Sequence, residues 1–198
     1  WLSSHFNAIE NLKIVIAPVP KNEKHRLEVL WQYDVLDTVP EEVFDDLTEL
    51  AAHICEAPIA LISLIDEKRQ WFKARRGLDA TELHREHAFC AHAILGPATL
   101  AVADASLDAR FKDNPLVIGE PHVVAYAGAP IILDCGAGLG TVCAIDRRPR
   151  KWRQAELLYI ERNARMAARQ IETRRAHLER DRQRFLETAL ARAETRYK

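Results

Sequence analysis

PIALISLIDEKRQWFKARR, residues 58–76, decides the fold. Residues 58–66 form an apolar run of strand length, interrupted by Ser63 and ended by Asp66. Glu67, Lys68 and Arg69 supply a polar turn, and residues 70–76 read as the antiparallel partner strand. A buried strand followed at once by its neighbour starts a hairpin-connected sheet rather than a parallel one.

Working outward, two helices precede the hairpin. Residues 21–33 (KNEKHRLEVLWQY) place Leu27, Leu30 and Trp31 on one face. The run EEVFDDLTELAAHICE, residues 41–56, places Val43, Phe44, Leu47, Leu50, Ala51 and Ile54 together, with its acids gathered where the helix dipole favours them. Thr38 is a candidate cap for this second helix. After the hairpin, residues 86–95 fit one or two helical turns, residues 100–105 a strand, and residues 108–120 a loop. Two more strands, 126–133 and 139–146, flank Asp134-Cys135-Gly136-Ala137-Gly138, a hairpin signal. Strands joined by hairpins, with helices at both ends of the chain, predict an α+β fold: an antiparallel sheet with helices on one face.

The chain closes on residues 155–198, a run of about ten to twelve helical turns without Gly or Pro. Leu157, Ala164, Ile171, Leu178 and Phe185 recur every seventh residue, the spacing of a helix that pairs with another helix. Arg174 and Asp181 spoil the second line of that seam. The expectation is a parallel homodimer held by this helix and helped by the N-terminal one. The core face should end near Ile171, and His177 reads as a surface residue.

Charge is divided along the chain. Residues 1–146 carry 12 Lys/Arg against 22 Asp/Glu (net −10), and residues 147–198 carry 16 against 7 (net +9). The basic half lacks interleaved aromatics, so it reads as a solvated helix and not a nucleic-acid surface. No apolar run approaches the roughly 18 residues of a membrane span, and no cationic start leads into an apolar stretch, so a cytoplasmic location is expected. Cys55, Cys90, Cys135 and Cys143 make no C-x-x-C pair, which points to free thiols and away from a structural zinc site.

Five blocks in order now form a pattern: YDVLDTVPEEVFDDLTELAAHICEAPIALISLIDEKRQWFKARRGLD (33–79), EHAFCAHAIL (86–95), VADASLDARFKDNPLV (102–117), AYAGAPI (125–131) and GLGTVCAIDRRPR (138–150). The set resembles a GAF domain of the type attached to bacterial sensor histidine kinases and diguanylate cyclases, over about residues 26–170. The resemblance implies an antiparallel sheet of five or six strands, the first and last helices packed on one face, and an irregular crossover covering a ligand pocket on the other. It divides the chain into residues 1–20 without an assigned role, a GAF domain at 21–172, and a helical linker at 173–198 toward an output domain. The closing AETRYK resembles the start of a PAS domain. The Asn-Lys-Phe-Asp-Glu signature of cyclic-nucleotide-binding members is missing. Bilin-binding members have a cysteine directly before a histidine, whereas Ala91 separates Cys90 from His92 here.

The implied pocket puts Trp71, Phe72, Phe89, Cys90, Asp104 and Tyr126 forward as ligand-binding residues. Each has a plainer role open to it: core packing for the aromatics and Cys90, a turn cap for Asp104. His84, His87, Cys90 and His92 are the densest group of potential metal ligands, although residues two apart on a helical turn diverge. No cofactor is specified. The leading function is a non-catalytic sensory domain that binds a small molecule and relays its state through a dimeric helix. A thiol-based methionine sulfoxide reductase, with Cys143 resolving Cys90, is the alternative, and a ligand-free dimerisation module a third. Burial in an alanine-rich turn is expected to raise the Cys90 pKa and quiet it.

Overall fold

The computed structural model describes residues 14–196, with side chains through residue 192. The elements in chain order are α1 (Glu23–Gln32), α2 (Glu42–Ile54), β1 (Ile59–Ile65), β2 (Arg69–Arg76), β3 (Glu82–His84), a single 3₁₀ turn (Arg85–His87), α3 (Phe89–Ala93), β4 (Leu100–Val102), α4 (Pro115–Ile118), β5 (Ala125–Ile132), β6 (Gly138–Asp146) and α5 (Gln154–Arg196). The six strands are ordered β3-β2-β1-β6-β5-β4, and every neighbouring pair is antiparallel.

Strand β1 sits at the centre and is buried along its whole length, which explains its unbroken apolar run. Its alternation sorts the core. Ala60, Ile62 and Leu64 face α1, α2 and α5, whereas Ile59, Leu61 and Ile65 face the crossover between β3 and β5. On the helix face, Ala127, Ala129 and Ala144 present small side chains, and Ile160, Ala164, Ala167, Ala168 and Ile171 of α5 bury against them. Asn163 Nδ2 donates to Leu47 O at 2.8 Å, tying α5 to α2. Gly140 lies where β6 crosses Ser63, and a Cβ there would run into the Ser63 carbonyl oxygen.

Several sequence expectations shift. Trp31 is 52% exposed and donates Nε1–H to Asp66, while Arg26 and Val29 join Leu27 and Leu30 in burial. Arg26 is held there because its guanidinium donates to Ile65 O at 2.6 Å and pairs with Glu23 at 2.8 Å. On α2 the buried face is Phe44, Leu47, Thr48, Ala51 and Ala52, with Leu50 and Ile54 exposed. The covering sheet selects a narrower stripe than the apolar spacing allows. Thr38 does not cap α2: its Oγ1 donates to Val35 O and accepts from Lys73, and Glu41 occupies the cap position. Strand β4 is three residues long, and the loop at 108–120 contains α4.

The seventh-residue series in the last helix divides in two. Ala164 and Ile171 are buried in the chain's own core and Leu157 packs against it, while Leu178 and Phe185 are exposed. The upstream half of the series is thus taken by the sheet and does not form a seam for another helix. Among the described residues, Arg174 makes the last side-chain bonds to the body, to Glu41 Oε1 at 3.0 Å and to Asp34 O at 2.7 Å. Ending the chain after Ala176 keeps all of these. Chemical denaturation should then find stability within about 1 kcal/mol of the full chain, as for changes confined to a solvated surface. Failure of the shortened chain to fold would show that residues 177–198 belong to the core.

Residues 14–20 run without regular structure beside α3, where Val15 O lies 3.3 Å from His92 Nε2 and Ala17 packs on the crossover cluster. Residues 1–13 of the unassigned N-terminal segment lie outside the described residues. So do Tyr197 and Lys198 of the AETRYK ending, whose first four residues continue α5.

Candidate functional site

Four strands converge on one sulfur. Cys90 is placed by α3 against the crossover face of the sheet, where it is buried. Its Sγ accepts from Gln70 Nε2 of β2 at 3.1 Å, Ser63 Oγ of β1 at 3.2 Å and Tyr126 Oη of β5 at 3.3 Å. Thr141 Oγ1 of β6 lies 3.2 Å from Ser63 Oγ and extends the network. Cys143, also on β6, faces the same side and is buried in the same cluster as Cys90. Gly128 makes room for this arrangement, because a Cβ there would collide with the Tyr126 hydroxyl.

Around the sulfur the walls are aromatic and aliphatic. Phe89 stacks on Phe111 with centroids 4.0 Å apart and lies 5.3 Å from Tyr126. The crossover that supplies Phe111 is pinned by Asn114, whose Nδ2 donates to His87 O and whose Oδ1 caps α4. Between crossover and sheet lies a cavity of about 20 Å³, walled by Leu61, Gln70, Phe89, Cys90, Tyr126 and Ile145 among others. One water needs roughly 10–15 Å³ by the same measure, so the cavity takes a molecule of about that size. A wider surface groove of about 550 Å³ runs past Trp31, Asp66, Arg69 and Glu82. There Arg69 is already paired with Asp37, Asp66 and Glu82.

Electrostatics separate the two thiols. Burial pushes the Cys90 pKa up, but donors from Cys143, Ser63, Thr141 and Tyr126 outweigh it and hold the thiol at about 6. The expectation that an alanine-rich turn would raise this pKa is therefore corrected: it overlooked hydrogen-bond donors arriving from distant strands. Cys143 moves the opposite way, well above its ordinary value, because its hydrogen bond to Cys90 and its burial both favour the protonated form. Burial, and then the two neighbouring thiols, raise Tyr126 as well. Cys55, buried elsewhere, is pushed up to about 11, mainly by burial.

Of the six residues expected at a pocket, Phe89, Cys90 and Tyr126 line this cavity. Phe72 stands on the same face outside its lining. The other two are elsewhere. Trp71 points to the helix face, because side chains alternate along β2 and Phe72 takes the crossover side. Asp104 caps its own turn, accepting from the Ser106 N–H at 3.0 Å and the Ser106 hydroxyl at 2.6 Å. His84 and His87 meet ring edge to ring face at 5.9 Å, and no group of three or more potential metal ligands occurs among the described residues. Ser63, Gln70 and Thr141 were missed. Their signal was present: each is a polar residue inside a strand that is otherwise buried, and such a group requires a partner.

The comparisons with known proteins agree with this architecture. A cyclic di-GMP phosphodiesterase of Pseudomonas aeruginosa is 42% identical over 160 residues, which make up 80% of this chain. The match spans only 27% of that relative's length. The GAF domain of a phosphoenolpyruvate-protein phosphotransferase from Coxiella burnetii superposes with a TM-score of 0.59 at 19% identity, covering 79% of this chain and 98% of that one. The free methionine-R-sulfoxide reductase of Neisseria meningitidis, solved with its substrate, superposes at 0.57 with 16% identity, covering 84% and 99%. At such identities these two structures speak for the fold alone. The family described as GAF domain matches residues 39–172, from just before α2 to the last core turn of α5, and the chain belongs to that family.

Proposed function

We propose that this chain is a non-catalytic regulatory domain of a longer bacterial signalling protein, and that it biases a neighbouring output domain through α5. The observation that carries the reading is the division of that helix. Its first part is built into the core through Ile171, and its remainder projects Leu178 (40% exposed), Phe185 (72%), Leu186 and Leu190 into solvent. Such a helix feels any rearrangement of the sheet it packs on and carries an unpartnered apolar stripe away from it. The relative from Pseudomonas aeruginosa suggests the output: control of cyclic di-GMP turnover. Signalling then requires two helix arrangements that a ligand, or the state of the site, stabilises unequally.

The exposed stripe fits a parallel homodimer, with α1 helping, in a cytoplasmic protein. No helix among the described residues is long and apolar enough to cross a membrane. Sedimentation equilibrium should find a weak dimer that Leu178→Glu shifts to monomer. A dimer that is indifferent to the substitution would remove this seam. In the longer protein the same substitution should change the rate of cyclic di-GMP hydrolysis, and an unchanged rate would remove the relay. Native mass spectrometry of the purified chain tests separately for a retained small molecule.

The burial of Cys90 and Cys143 in one cluster favours one second reading, thiol-based reduction of methionine sulfoxide. That chemistry needs a nucleophilic thiol, a resolving thiol and room for an amino-acid substrate. Cys90 and Cys143 are the candidates for the first two, but a cavity of about 20 Å³ does not hold the third. The expected result is no turnover of free methionine sulfoxide in an NADPH-coupled assay supplied with thioredoxin. Turnover that disappears in Cys90→Ser would make this an enzyme.

A further inference from the structure

We infer that Cys90 and Cys143 form a two-thiol oxidation site that takes a hydroperoxide small enough to enter the cavity beside Cys90 and closes to an intramolecular disulfide. The inference goes beyond the regulatory reading and stands without it.

Three observations carry it. Cys90 of α3 and Cys143 of β6 are buried together in the crossover cluster, in a chain whose other cysteines, Cys55 and Cys135, lie apart from it. Cys90 Sγ accepts from Gln70 Nε2, Ser63 Oγ and Tyr126 Oη, an arrangement that stabilises sulfur carrying negative charge. The cavity that Cys90 borders has room for slightly more than one water, which favours hydrogen peroxide, the smallest hydroperoxide, over larger organic oxidants.

The chemistry balances. Cys90 sulfur attacks one oxygen of the peroxide, and the O–O bond breaks. Sulfur is oxidised by two electrons to sulfenic acid, while the departing hydroxide takes up the proton released by Cys90 and leaves as water. Cys143 sulfur then attacks Cys90 sulfur, so that an S–S bond forms and the S–O bond breaks. The second hydroxide leaves as water with the Cys143 proton. Two thiols and one peroxide give one disulfide and two waters. The roles are not interchangeable. Cys90 is the attacking sulfur because its surroundings favour the thiolate, and Cys143 is held protonated opposite it until that charge is gone. Closing to an S–S length of about 2.05 Å brings α3 and β6 together and draws Cys90 away from Gln70, Ser63 and Tyr126.

The test uses the full chain carrying Cys135→Ser, which removes the exposed thiol. Hydrogen peroxide is added, free thiols are blocked, and the protein is digested without reductant for mass spectrometry. The expected product is a linked peptide pair containing Cys90 and Cys143, lighter by two hydrogens, with Cys55 still free and reacting at least about tenfold more slowly. In Cys143→Ala, Cys90 should be trapped by dimedone as the sulfenic acid. Free Cys90 and Cys143 after Cys55 has been oxidised would overturn the inference, as would linkage through Cys55. Should Cys143→Ala not fold, the presence or absence of the linked pair in the Cys135→Ser chain decides alone.

Discussion

Replacing Glu156 with alanine is expected to lower the unfolding free energy by about 3 kcal/mol, the cost of removing the buried carboxylate from a half-buried cation together with a helix-start contact. Glu156 is buried at the first turn of α5. Its Oε1 accepts from Arg150 at 2.6 Å, and its Oε2 reaches back to the Arg153 backbone N–H at 2.7 Å. Arg150 in turn holds Cys55 O at 2.7 Å, where α2 ends, and stacks 4.4 Å over Trp152. One carboxylate therefore joins the start of α5, the loop after β6 and the end of α2. Without it Arg150 keeps Asp146 at 3.3 Å, which places the effect below the top of the usual range for a broken buried pair. Burial raises the Glu156 pKa, but hydrogen bonds from Arg153 and the charge of Arg150 outweigh that and set it below 4.5. The contribution is thus complete above about pH 4.5 and fades as pH falls through the lower folded value. Urea denaturation at neutral pH measures the loss. Glu179→Ala, which breaks an exposed pair with Arg175, should cost no more than about 0.5 kcal/mol. A Glu156→Ala loss as small as that control would show that the buried network contributes nothing.

What could be read without coordinates follows from how each signal arises. The sheet was legible because β1 is buried on both sides and β5 and β6 are separated by turn residues, so pattern and burial coincide. Strand β3 was not, since Glu82, Leu83 and His84 form an edge strand with little apolar content. The last helix was legible as a helix but ambiguous as to its partner. Packing on a sheet and packing on another helix both recur at three- and four-residue intervals, and Ala164 and Ile171 satisfy either.

The candidate site divides along the same line. Phe89, Cys90 and Tyr126 were recognisable from the family pattern, whereas their hydrogen-bond partners come from strands far away in sequence. Ser63 lies 27 residues from Cys90 and Tyr126 lies 36 residues away. Local composition around Cys90 is all that a sequence window reports, and it is apolar. The donors that reverse the thiol's acidity arrive only when the strands pair.

A bulge shows most plainly what pairing adds, and it supports the final prediction. Between β1 and β2 the register slips so that Ile62 faces Ala74 and Ser63 faces Phe72, leaving Lys73 as the extra residue. Lys73 turns to the helix side, where its ammonium is fully buried and donates to Thr38 Oγ1, Val39 O and Glu41 Oε1. Glu41 Oε1 also accepts from Arg174, at the point where α5 leaves the body. A carboxylate shared by two cations thus connects the strand that carries Gln70 to the helix proposed as the output. Glu41→Ala should cost about 2–3 kcal/mol, less than a fully buried pair, because Glu41 is partly solvated and Lys73 keeps two neutral acceptors. Hydrogen exchange should show residues 170–178 opening earlier while β1 and β6 stay protected. Arg174→Ala should reproduce the exchange change with a smaller loss of stability. The double variant should fall short of the sum by about 1 kcal/mol if the two residues act as one unit. Strict additivity, or exchange in α5 unchanged by either substitution, would disconnect the bulge from the helix. Proximity alone does not establish coupling, and that cycle measures it.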